Sequence, residues 1–82
     1  MYELIFSNKA IRQLKKLPKD IQQRIDNSLE RIKIRPEAHL KKLVGDPAWR
    51  LRVGDYRVIV DIDRGKLIIL VIGVGHRRNV YE

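Results

Sequence analysis

The chain has 82 residues, of which 44% are hydrophobic and 34% charged, a balance typical of one small globular domain rather than a disordered segment. It has no cysteine, which excludes disulfides and cysteine-based metal sites, and no apolar run approaches the length of a bilayer span. Its 18 Lys and Arg against 10 Asp and Glu give a net charge of +8, which favours nucleic acid over an acidic protein as partner. We expect a single domain over residues 1–82 in the cytoplasm, with no metal site and no membrane segment.

The first part of the chain predicts a strand followed by two helices. Residues 2–6 alternate in the manner of a strand, and Ser7 can cap a helix that begins after it. Apolar residues then recur at helical spacing in two blocks. They are Ala10, Ile11, Leu14 and Leu17 in the first block, and Ile21, Ile25, Leu29 and Ile32, with Ser28, in the second. Pro18 separates the blocks and Pro36 ends the second, so we expect an antiparallel helical hairpin.

Residues 37–48 carry weaker signals. Lys41 and Lys42 lie among Leu40, Leu43 and Val44, a pattern that fits a short edge strand whose lysines discourage pairing with other chains. Residues 45–47, Gly-Asp-Pro, are typical of a turn. We therefore expect a short strand that ends at this turn.

The next segment predicts a hairpin with two chemically different faces. Apolar and arginine side chains alternate over residues 49–53, and Gly54-Asp55 supplies a two-residue turn before a returning strand over residues 56–62. The turn fixes the register, so Arg52 faces Arg57 with Arg50 nearby. The opposite, core-facing side carries Trp49, Leu51, Val53, Tyr56, Val58, Val60 and Ile62.

The arginine face has two interpretations. Like charges directly opposite each other destabilise a ladder, so the sequence tolerates a cost that a phosphate ligand would remove. The alternative is that three solvated arginines splay apart at little cost. The rest of the chain favours the first interpretation. A turn over residues 63–66, with Gly65 suited to positive φ, leads to an almost wholly apolar strand over residues 67–74, after which His76, Arg77, Arg78 and Tyr81 follow.

The predicted order is β-α-α-β-β-β, an α+β fold with helices on one side of a mostly antiparallel sheet. This order and the segments KKLVG, WRLRVGDYRVIVDI and LIILVIGVGHRRNVY resemble the RelE/ParE superfamily of bacterial and archaeal toxins over essentially the whole chain. The resemblance implies a curved sheet with the helical hairpin packed on one face and the active surface on the other, concave side.

The resemblance also implies a function. RelE-like members cleave mRNA in the ribosomal A site, whereas ParE-like members poison DNA gyrase and are not nucleases. The arginine face, found from alternation alone, coincides with the RelE-like active site, so we prefer an endoribonuclease to a gyrase poison or a plain RNA-binding module. The implied partners are a cognate antitoxin and mRNA in the ribosome, with contacts to 16S and 23S rRNA and no cofactor.

In this interpretation an RNA 2′-hydroxyl attacks the adjacent phosphate without a metal. The resemblance assigns Arg50, Arg52, Arg57, Arg77 and Tyr81 to catalysis, although the first two positions are lysines in the best-studied relatives. Arginine stays protonated and is a poor base, so the base is open. His76 is our candidate, the alternative being that it only caps the strand. We expect Lys41, Lys42 and Arg78 to contact RNA.

Overall fold

The computed structural model describes residues 1–76 as a mixed five-stranded sheet with helices inserted after its first strand. The strands are β1 (Glu3–Phe6), β2 (Lys41–Lys42), β3 (Trp49–Val53), β4 (Tyr56–Asp63) and β5 (Ile68–His76), and the helices are α1 (Asn8–Lys15), α2 (Lys19–Ile32) and α3 (Pro36–His39). The sheet order is β1-β5-β4-β3-β2, with β1 parallel to β5 and the other pairs antiparallel. The predicted α+β class is confirmed. Within these residues no helix has the length and hydropathy of a membrane span.

The core lies between α2 and one face of the sheet. Ile25, Leu29 and Ile32 of α2 are completely buried, as the predicted apolar stripe requires. They pack with the alternating side chains of the sheet, namely Leu51, Val53, Val58, Val60, Ile69, Val71 and Val74. Each such aliphatic side chain contributes roughly 1.5–3 kcal/mol when it is fully buried, so the core positions the strands firmly against α2.

Helix α1 is bound to β5 at a β-bulge. Between Ile59 and Val60 the register of β4 skips Ile72, which is the extra residue of β5. The Ser7 hydroxyl accepts a hydrogen bond from the Ala10 amide at 3.0 Å, which caps α1, and donates one to the Ile72 carbonyl at 2.8 Å. Gln13 Oε1 accepts from the Val74 amide at 2.7 Å. Helix α1 thereby covers the edge of β5 beyond the end of β1.

The predicted role of Pro36 at the end of the second helix is wrong. Helix α2 ends at Ile32, and Pro36 is the buried first residue of α3 rather than the residue that ends α2. A proline suits this position because the first helical residue has no intrahelical partner for an N–H. The one-turn helix α3 then delivers the chain to the sheet edge at β2.

The loop between β4 and β5 also differs from the prediction. Its left-handed residue is Leu67, with φ 56°, and not Gly65. Asp63 Oδ1 accepts a hydrogen bond from the Lys66 amide at 3.0 Å, and the Leu67 carbonyl accepts one from the Glu3 amide of β1 at 2.8 Å. These bonds hold the loop, so β5 begins at Ile68 and runs to His76, two residues beyond the predicted end.

Candidate active site

The β3–β4 hairpin builds an arginine cluster, which we define as Arg50, Arg52 and Arg57. The predicted register is confirmed, with Arg52 paired to Arg57 and Arg50 to Ile59. Gly54 has φ 59°, the left-handed conformation that glycine supplies at the first position of a two-residue turn. Residues paired directly across a ladder share a face, so the three side chains leave the sheet on the side opposite the core. Arg52 Nε then turns back to within 3.5 Å of the Gly54 carbonyl oxygen at the hairpin end.

The arginine cluster is not neutralised by the part of the chain that the structure describes. Across residues 1–76 the ion pairs join Lys33 to Glu30 and Arg64 to Glu37, and neither involves a cluster guanidinium. On the face that carries the cluster, acidic side chains of β4 occur only at its far end, at Asp61 and Asp63. Positive charge is therefore concentrated at the turn end of this face, where an anion would be attracted.

Residues on the neighbouring strands extend this surface. Lys41 of β2 pairs with Arg50 and adds a fourth positive charge to the same face. On the other side, Gly75 of β5 pairs with Arg57. Because glycine has no side chain, β5 places no Cβ atom beside Arg57 at this register position. Sequence analysis missed the position of Gly75, although it identified the arginines beside it.

The two lysines predicted to bind RNA together lie on opposite faces. Lys42 pairs with Trp49, on the core-facing side of the sheet. Its ammonium lies 5.1 Å from the centre of the Trp49 ring, a cation–π distance, and donates a hydrogen bond to the Pro47 carbonyl at 2.7 Å. Lys42 thus has a structural role at the sheet edge, and only Lys41 adjoins the arginine cluster.

His76 is also separated from the arginine cluster. It pairs with Tyr56, and the two rings meet edge to face with centroids 5.7 Å apart and planes at 78°. Tyr56 packs against the core, so the imidazole lies on the helix side of the sheet. The candidate base and the arginine cluster therefore lie on opposite faces of the sheet. Arg77, Arg78 and Tyr81 lie outside the described residues.

Comparisons with known proteins identify the family of this chain and proteins of similar fold. Residues 4–81 match the family model described as the ParE toxin of the type II toxin–antitoxin system parDE. The fold resembles the isolated RelE toxin of Escherichia coli, with 27% identity, a TM-score of 0.82, and coverage of 99% of this chain and 92% of that one. It also resembles a chain of the Mycobacterium tuberculosis RelBE2 toxin–antitoxin complex, with 26% identity, a TM-score of 0.85, and coverage of 93% and 98% respectively. No curated protein matches by sequence.

Proposed function

Since this chain belongs to the ParE toxin family and is a toxin of a type II toxin–antitoxin system in the RelE/ParE superfamily, we propose that it is an endoribonuclease that cleaves mRNA in the ribosomal A site. The observation that carries this proposal is the arginine cluster, with Gly75 paired beside Arg57. Guanidiniums held in a fixed register bind a phosphate through charge-assisted, bidentate hydrogen bonds. A toxin that acts only through a protein surface has no need of such a cluster.

The proposed reaction is the attack of an RNA 2′-hydroxyl on the neighbouring phosphorus. The new O–P bond forms a 2′,3′-cyclic phosphate, and the bond to the 5′-oxygen breaks. A base takes the 2′-hydroxyl proton, and an acid returns a proton to the leaving 5′-oxygen. Arg50, Arg52 and Arg57 stabilise the extra negative charge of the phosphorane. Loss of one such donor typically costs about 2.7–4 kcal/mol of transition-state stabilisation.

We assign the proton transfers to residues that follow β5 in the sequence. From the resemblance, we propose that Arg77 acts on the leaving-group side and that Tyr81 holds the 2′-hydroxyl or a neighbouring base. We propose that His76, the base expected from the sequence, does not take this proton, because it contacts Tyr56 on the helix side of the sheet and a base must reach the attacking hydroxyl. The pH profile of a His76 variant tests it directly.

The proposed partners follow from the same surface. The E. coli RelBE complex contains a chain that is 28% identical to this one, with a TM-score of 0.80. We propose that a cognate antitoxin likewise binds this protein and covers the arginine cluster, and that Lys41 and Arg78 contact RNA within the ribosome. Co-expression with the antitoxin should yield a stoichiometric complex, and recovery of free toxin alone would contradict this.

Primer extension on an mRNA, with and without ribosomes, tests the cleavage proposal. Wild-type protein is compared with Arg57→Ala/Arg77→Ala and with Arg12→Ala/Arg35→Ala, a matched loss of two arginines at exposed positions. We expect cuts only when ribosomes are present, their loss in the double variant, and their retention in the control. Cuts without ribosomes would show a free ribonuclease.

A second candidate function is poisoning of DNA gyrase, because the matching family model is named for ParE. In that case no lane of the primer-extension experiment shows cuts. Gyrase supercoiling is then inhibited equally by wild type and by the double variant, since the target contacts a protein surface elsewhere. Inhibition of supercoiling together with absent cleavage would replace our proposal.

A further inference from the structure

A second basic site adjoins the arginine cluster, between α2 and the β3–β4 turn. It is a pocket of about 260 Å³, lined by Arg24, Asn27, Ser28, Arg31, Arg52, Val53 and Gly54. Pockets for drug-sized molecules usually span about 300–1,000 Å³ and are mostly apolar, whereas five of these seven residues carry polar side chains. The pocket has room for a tetrahedral oxyanion, and its three arginines suit one.

Helix α2 presents four of these side chains as one stripe. Arg24, Asn27, Ser28 and Arg31 have the spacing i, i+3, i+4 and i+7, which places them in a row on the helix surface. The Asn27 carbonyl oxygen already accepts a hydrogen bond from Gln23 Nε2 at 3.1 Å, so its amide NH₂ can donate to a ligand. The stripe is held in place because the adjacent apolar stripe of α2 is buried in the core.

The turn completes the pocket from the other side. The Arg24 guanidinium lies against the turn, since a Cβ atom built at Gly54 would be 3.2 Å from one of its nitrogens. Arg52 Nε approaches the Gly54 carbonyl oxygen at 3.5 Å. Arg24 and Arg52 therefore converge on the same turn from α2 and from β3.

The charges in this pocket are left uncompensated by residues 1–76. Neither ion pair in that range involves Arg24, Arg31 or Arg52, and no carboxylate lines the pocket. Three arginines that line one pocket repel one another, and a bound anion would replace this repulsion by attraction.

We propose that this pocket binds a backbone phosphate of the RNA substrate, outside the cleavage site. Arg52 belongs to both the pocket and the arginine cluster. One RNA strand therefore passes from the arginine cluster to the pocket, and the pocket fixes the path of this strand across the hairpin. The identity of the strand rests on the proposed function, whereas the phosphate chemistry rests on the pocket alone. The predicted consequence is a binding role for Arg24 and Arg31 without a role in the chemical step.

Binding of an uncleavable 2′-O-methyl RNA oligomer tests the pocket independently of cleavage. We expect Arg24→Gln/Arg31→Gln to weaken binding at least about tenfold and to lower the slope of log K against log salt by about 0.7, the value for one phosphate of a single strand. The matched control is Arg12→Gln/Arg35→Gln, which removes the same charge from exposed positions outside the pocket. Arg24→Lys/Arg31→Lys keeps the charge and should restore most of the slope. Equal losses in the pocket and control variants would overturn the inference.

Inorganic phosphate distinguishes the source of the oxyanion. In wild-type protein we expect phosphate to shift the NMR signals of the Gly54 amide and of the Arg24 and Arg31 side chains in a saturable way. If those shifts occur but the pocket variant binds RNA as the control does, the pocket takes a free oxyanion and the RNA assignment is wrong. If phosphate shifts none of them, the site itself is wrong.

Cleavage measured at saturating protein separates the two proposals. The pocket variant should cut within about threefold of wild type once it is fully bound, because neither residue touches the reacting phosphate. If wild type itself never cuts, the proposed function fails while the binding result on the uncleavable oligomer still decides the pocket. If wild type cuts and the pocket variant binds normally, only the pocket inference fails.

Discussion

Replacing Arg57 with glutamate should stabilise the fold while it abolishes cleavage. Arg57 lies directly opposite Arg52 in the β3–β4 ladder. A cross-strand pair changes stability by roughly 0.2–1 kcal/mol, with like charges destabilising and opposite charges stabilising. The exchange therefore raises the free energy of unfolding by about 0.4–2 kcal/mol, and we expect about 1 kcal/mol because Arg52 is exposed and solvent screens the pair.

Thermal unfolding measures this gain. For a domain of this size, about 1 kcal/mol raises Tm by roughly 4–8 °C. At about 1 M salt the Debye length falls to about 3 Å, so the gain should largely disappear. Arg57→Gln is the matched control, since it removes the repulsion without adding an attraction and should give about half the gain. A double-mutant cycle with Arg52→Gln isolates the pair from effects on the rest of the sheet.

Cleavage by Arg57→Glu should fall at least about a hundredfold, because a charge stabiliser is replaced by a negative group that repels the phosphate. A variant that is less stable than wild type at low salt would show that the arginines splay apart and that no electrostatic strain exists in the ladder. A variant that cleaves as wild type does would show that the arginine cluster is not the active site.

Three further predictions concern other parts of the molecule. His76→Gln should leave the pH profile of cleavage unchanged near neutrality, since the ring lies on the helix side; loss of one limb of that profile would restore it as the base. Ser7→Ala removes the cap of α1 and its bond to the β5 bulge and should cost about 1–2 kcal/mol in urea unfolding, a cost that Ser7→Thr should largely avoid. The hydrogen bond and charge of Arg64 lower the pKa of Glu37 from 4.5, so wild type should be more stable than Glu37→Gln at neutral pH, and the two should converge as pH falls below 4.5 through the lowered pKa. A constant difference down to that range would contradict the assignment.

The hairpin and the helices were predictable because their signals are local. Gly54-Asp55 defines a two-residue turn, and the turn fixes every pair of the β3–β4 ladder, including Arg52 opposite Arg57. Ser7 predicts the start of α1 because serine is a favourable N-cap residue. The helical spacing of apolar residues in α2 predicts which face of the helix is buried. Each of these inferences spans only a few residues.

Long-range features were not predictable in the same way. The parallel pairing of β1 with β5 joins residues 65 positions apart, such as Glu3 and Ile68, and no local signal encodes it. The basic pocket was missed because its α2 side chains look, in sequence, like the solvated face of an ordinary helix. Only the packing of α2 against β3 shows that Arg24 and Arg31 share a space with Arg52.

The bulge at Ile72 determines which face of the sheet carries His76. Strand alternation is strict, so without the extra residue Val71 and Gly75 would share the core face and His76 would point toward the arginine cluster. The one-residue slip reverses both, which removes the imidazole from that face and puts the bare backbone of Gly75 opposite Arg57. The Ser7 hydroxyl donates to the Ile72 carbonyl and Gln13 Oε1 accepts from the Val74 amide, so the N-terminal end of α1 and its Gln13 fix β5 on both sides of the slip.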